Sequence, residues 1–116
     1  MGIVQKDRDL GLECAGVISR VDPRGDHDFH VGDHVLCWFP GSLATHVRVD
    51  AQWCSKIPDT LSFHEVVSLP TAYATAIHAL LEISALVPDE TVLIHSAAGA
   101  IGLAAIQISQ KIGAQV

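Results

Sequence analysis

The stretch "TVLIHSAAGAIGLAAIQISQ", residues 91–110, constrains the fold more than any other part of the sequence. Thr91 to His95 is a branched run, apolar on both faces as parallel strands are. A glycine turn follows. Then Ile101, Ala105, Ile108 and Ile112 recur at i, i+4, i+7 and i+11, with Gln107, Gln110 and Lys111 on the wetter side, which predicts an amphipathic helix. Gly113 reads as its stop, and "AQV" as the start of a second strand. Strand, turn and helix follow in that order as one βα unit.

Aligning Ala97, Gly99 and Gly102 with the three glycines of GxGxxG leaves alanine in the first place. Gly99 would let the backbone approach a pyrophosphate with no Cβ in the way, and Gly102 would let the helix pack closely on its strand. Free N–H groups around Ala100, Ile101 and Gly102 would face the phosphates, with the positive end of the helix dipole behind them. The plainer alternative is a tight strand-to-helix turn with no nucleotide. A residue that reads the ribose is expected about 20 residues after the turn, which lies beyond Val116.

The first half has a different period. "LECAGVISRV" (12–21) and "HVLCWF" (34–39) read as strands separated by the turn-rich "DPRGDHDFHVGD", so antiparallel β is expected. "LATHVRVD" puts Leu43, Thr45, Val47 and Val49 on one side of a period-two pattern and predicts a further strand, with "WCSKIP" closing the series. After Pro58 the pattern turns helical. Ser62 and Glu65 form a capping box, and "TAYATAIHALLEISAL" after Pro70 predicts a second, longer helix. The fold class is therefore mixed α/β.

Composition narrows the function. A net charge of -6 with seven Lys and Arg offers no basic face, which argues against nucleic acid but leaves room for a small anion held by backbone N–H groups. No run of about eighteen uncharged apolar residues suggests a membrane span, and no signal peptide opens the chain, so a cytoplasmic protein without a membrane partner is expected. Cys14, Cys37 and Cys54 are odd in number and far apart in sequence, and read as buried reduced thiols.

Four stretches, "LGLECAGVISRV", "FHVGDHVLCWFPGSLATHVRVDAQWCSKIPDTLSF", "LPTAYATAIHALLEIS" and "ETVLIHSAAGAIGLAAIQISQKIGAQV", resemble the medium-chain dehydrogenase/reductase superfamily. More narrowly, they resemble the enoyl reductase domain of fungal highly reducing polyketide synthases. The resemblance runs through essentially the whole chain. It implies a partial GroES-like β domain over residues 1–70 and the start of a Rossmann NAD(P)-binding domain over 71–116. It also implies NADPH as cofactor and, as reaction, hydride transfer to an α,β-enoyl thioester carried on an acyl carrier protein. The cofactor-binding residues it implies are Ala97, Ala98, Gly99, Ala100, Ile101 and Gly102, together with Thr75 in "YATA". A helical threonine can also simply bond its own backbone, an alternative of equal standing.

Departures from the family pattern limit what is carried over. Gly11-Leu12-Glu13 stands where zinc-dependent relatives have a His-Glu pair, so no metal is expected. Ala100 replaces a second glycine, at little cost only if its φ stays negative. The family's candidate proton donors lie in segments expected before Met1 and after Val116, so no catalytic residue is assigned and the enzyme question stays open. Asp26, His27, Asp28, His30, Asp33 and His34 crowd one turn but lack evident partners to orient them as ligands. His95 is expected to pack rather than to touch a cofactor, and Glu13 to make a structural ion pair. An inactive remnant acting as a binding or interaction module is the rival reading. Such a module would pair with a reductase or a second copy through an unpaired edge at 91–95, or hold a ligand without redox chemistry.

Overall fold

The computed structural model describes residues 10–116, in two compact units, one ending at Val67 and one running from Ser68 to Val116. The part of the expected 1–70 domain that precedes residue 10 lies outside the described residues.

In the first unit β1 (Glu13–Val17), β2 (His34–Trp38) and β3 (Cys54–Lys56) form an antiparallel sheet in the order β1-β2-β3. Val35 and Cys37 alternate onto one face and are buried, with Ile57 and Val66 completing the unit's apolar centre. β1 is shorter than the run 12–21 suggests. Beyond Val17 single bonds replace the ladder, Ile18 N–H to Asp33 and Gly32 N–H to the Ile18 carbonyl. Residues 43–50 do not form the expected strand. Their alternation defines a face, but a strand also needs a backbone partner, and none of the described strands pairs with them; Leu43 is 75% exposed.

The crowded turn between β1 and β2 holds itself together. Arg24 pairs with Asp22, His27 Nε2 meets the Asp22 carbonyl, His30 N–H donates to Asp33, and Lys56 reaches both Asp28 and Asp33. Next, α1 (Phe63–Val66) starts on the predicted capping box: Ser62 Oγ accepts from Glu65 N–H while the Glu65 carboxylate accepts from Ser62 N–H at 2.8 Å. Ser62→Ala is expected to cost about 1 kcal/mol of stability, readable by urea unfolding.

These arrangements set a pH dependence. The backbone and hydroxyl of Ser62 hold the Glu65 carboxyl below its usual range, and the His30 amide with Lys56 does the same for Asp33. A depressed carboxyl contributes stability above its unfolded pKa and loses it as pH falls through the folded value. Thermal midpoints are therefore expected to fall between about pH 5 and about pH 2, and less steeply in a Glu65→Gln variant. An equal acid slope in that variant would contradict the assignment.

In the second unit Pro70 opens α2 (Pro70–Ile77) at the position where its missing N–H is harmless, and the helix continues as a π-helical segment, His78–Ile83. The helical stretch 63–83 has 21 residues of mean hydropathy 1.3, long and apolar enough by length and composition to cross a membrane, which counting uncharged runs overlooks. It carries Glu65, Glu82 and two histidines, and its Ala72 and Ala76 are used in packing against α3 (Ala100–Ile112). That contact is made through small residues, Ala72 and Ala76 against Ala104 and Ala105, and Tyr73 Oη donates to Gln107 Oε1 at 2.6 Å.

The packing corrects the predicted face of α3. Ala105 is buried and Ile108 packs against the core as expected, but Gly102, Ala104 and Ser109 are buried beside them, whereas Ile101 is 49% exposed. Close approach of two helices selects small side chains over large apolar ones. The predicted strand at 91–95 is also reduced, to one parallel bridge between Thr91 and Gln115 flanked by Val92 N–H to Gln115 and Gln115 N–H to Glu90. Within residues 114–116, backbone bonds join residues 90–92 to Gln115 alone. Gly113 ends α3 at φ 93 as predicted.

Candidate functional site

Residues 95–102 form one turn between the bridge at Thr91 and α3. Ser96 has a φ of 55, the left-handed region that favours glycine, and its carbonyl accepts Gly99 N–H at 2.9 Å. Gly99 then takes the extended N-cap conformation, φ -80 and ψ 166, with no side chain capping the helix. The first intrahelical bond runs from Leu103 N–H to the Gly99 carbonyl at 2.9 Å. The amides of Ala100, Ile101 and Gly102 therefore have no acceptor within the helix, and they converge on its N-terminal end.

The two glycines have different jobs. A Cβ on Gly102 would stand 2.5 Å from the Ser96 carbonyl oxygen, 2.6 Å from Ala97 Cα and 2.8 Å from its carbonyl carbon. All three are backbone atoms that cannot swing aside, so the first helical turn seats directly on the preceding turn. A Cβ on Gly99 would meet only the Ser96 oxygen, at 3.3 Å, and the position is exposed. Ala100 is the first residue of α3, in the right-handed helical region, which meets the condition for tolerating alanine there.

Electrostatics at the turn come from the backbone. In residues 68–116 Lys111 is the single Lys or Arg, and it lies in the last turn of α3. Within this unit an anion at the turn would thus be met by the amides of 100–102 and the positive end of a thirteen-residue helix.

The sequence-predicted residues fall into two groups. Ala97, Ala98, Gly99, Ala100, Ile101 and Gly102 are contiguous in the turn, with Ala97 half-buried, Gly102 buried and the rest exposed. Thr75 is an exposed residue of α2, and its hydroxyl donates to the Thr71 carbonyl at 2.7 Å. That bond uses the Oγ1 proton and leaves the oxygen's two lone pairs as acceptors. His95 is exposed at the start of the turn, not packed as expected. Ser96 is the residue that sequence reasoning missed. A glycine or asparagine would have signalled its positive φ, and serine carries no such signal.

No protein-family model matches the chain. A highly reducing polyketide synthase from Nectria sp is 44% identical over 117 residues, which take in all of this chain and 4% of that protein. Among solved structures, the CurK enoyl reductase superposes with a TM-score of 0.84 at 38% identity, over 90% of this chain and 31% of its own. A mycobacterial protein crystallised with NADPH gives 0.82 at 28% identity, over 90% and 33%. The chain thus spans a small part of its curated relatives and about a third of these structures.

Proposed function

Because the chain belongs to the medium-chain dehydrogenase/reductase superfamily, in the enoyl reductase branch found in fungal highly reducing polyketide synthases, we propose that residues 96–102 are a pyrophosphate-binding turn. On this reading the chain supplies part of an NADPH-dependent reductase of α,β-enoyl thioesters, with the β domain over 1–70 and the start of the Rossmann domain over 71–116. The observation that carries it is the pairing of three acceptor-free amides, at Ala100, Ile101 and Gly102, with an open approach at Gly99 and a closed one at Gly102.

The residues present fit such a cofactor. Ser96 and Gly102 fix the turn against the helix, Gly99 admits oxygen atoms close to the backbone, and the amides of 100–102 donate to them. Thr75 Oγ1, with its proton committed to Thr71, could serve a cofactor only as an acceptor. The chemistry supplied by a bound nicotinamide is hydride donation to the β-carbon of an enoyl thioester, which in this family is carried by an acyl carrier protein. This segment's own part is to bind and orient, and no side chain in it is assigned to proton transfer.

A chimera tests the proposal. Residues 10–116 exchanged into the matching region of a polyketide enoyl reductase are expected to retain NADPH-dependent turnover of a crotonyl thioester. Gly102→Val in the same chimera is expected to abolish it. A folded chimera with no NADPH oxidation, or an unaffected Gly102→Val chimera, would overturn the reading.

A further inference from the structure

Three thiols that are far apart in sequence stand in one row across the sheet. The register sets Cys14 opposite Cys37 and Cys37 opposite Cys54, and directly opposed residues share a face. All three line the same open groove of the first unit, together with Val35 and residues of the 44–51 loop. Cys37 Sγ lies 3.4 Å from Cys54 Sγ, and the Cys54 thiol also donates to the Asp50 carbonyl at 3.7 Å. Opposed residues of an antiparallel pair have Cα atoms about 4.5–5.5 Å apart, inside the roughly 4.4–6.8 Å that a disulfide accepts. Side-chain rotation alone can therefore close the remaining gap.

We propose that Cys37 and Cys54 are a modification site, a pair that forms a reversible cross-strand disulfide with low-molecular-weight disulfides and so ties β3 covalently to β2. Cys37 is the buried member of the pair and Cys54 the half-buried one, so an oxidant reaches Cys54 first, and burial also pushes the Cys37 thiol up from its ordinary value. Exchange starts at Cys54. Its thiolate attacks one sulfur of oxidised glutathione, the glutathione S–S bond breaks, and one glutathione leaves and takes a proton. Cys37 then gives its proton to solvent and attacks Cys54 Sγ, expelling the second glutathione. In sum two protein thiols are oxidised and one glutathione disulfide is reduced to two thiols.

The test uses the full chain in native buffer with oxidised glutathione, followed by alkylation with iodoacetamide, digestion and mass spectrometry. Cys37 and Cys54 are expected to lose alkylation together and to appear as one cross-linked peptide pair, lighter than the separate peptides by two hydrogens. Cys14 should stay alkylated, and dithiothreitol should restore both lost sites. Cys37→Ser should stop at the glutathione adduct of Cys54. A wild-type reaction that halts at that adduct, a Cys14–Cys37 link, or cross-linking no more selective in native buffer than in urea would each overturn the proposal.

Discussion

Gly102→Ala is expected to destabilise the chain by about 2 kcal/mol, and at the same time to abolish anion binding at the turn. Two effects of opposite sign compete. Alanine in a helix interior gains up to about 1 kcal/mol over glycine. Against that, the new methyl would lie 2.5–2.8 Å from three backbone atoms of Ser96 and Ala97, and overpacking of this kind costs about 1–3 kcal/mol, occasionally more. Backbone cannot rotate away as a side chain can, so the clash wins and the helix lifts off the turn. Gly99→Ala is the informative contrast. Its Cβ meets one atom at 3.3 Å and its φ is -80, so stability should fall by no more than about 1 kcal/mol, the usual difference between glycine and alanine at an N-cap. Urea unfolding of the two variants separates them, and equal losses would contradict the geometry.

Ala104→Leu is expected to cost about 2–3 kcal/mol. Ala104 is 1% exposed and faces the alanines of α2, so three added carbons must push the two helices apart. The hydrophobic gain of burying them, about 0.8 kcal/mol per methylene, is not realised where there is no space. Leu103→Ala, one residue away at 50% exposure, should change stability by less than about 0.5 kcal/mol. The opposite ranking in thermal melts would mean that the face of α3 carrying Leu103, and not the alanine face, is the packed one.

Features fixed by residues close in sequence are legible in the sequence. The Ser62–Glu65 box, Pro70 at a helix start and Gly113 at φ 93 each rest on local sterics or a local hydrogen bond, and the glycine turn was placed by the same kind of reasoning. Features that depend on what lies opposite are not. The alternation over 43–50 specifies a face but no partner, and residues 91–95 reach only one bridge. Apolar weight on α3 points to isoleucine, and of the isoleucines Ile108 does pack there, but the centre of the contact is set by how near α2 comes, and that distance favours alanine. Nothing in the spacing of Cys14, Cys37 and Cys54 announces a row, because cross-strand register is a long-range property. At the candidate site the tight turn over 97–102 is legible from its glycines, and the strained Ser96 that shapes it is not.

The Ala100, Ile101 and Gly102 amides, with Gly99 leaving the approach open, are proposed to receive a pyrophosphate. The most direct measurement is a ¹H–¹⁵N titration of the labelled chain with NADPH, and separately with inorganic pyrophosphate. Both ligands are predicted to shift the amide resonances of Gly99, Ala100, Ile101 and Gly102 with one shared saturation curve each, and to leave those of β1 to β3 in place. Both responses should be lost in Gly99→Val. Shifts centred on the β sheet, or no shift at the turn with either ligand at millimolar concentration, would contradict the account.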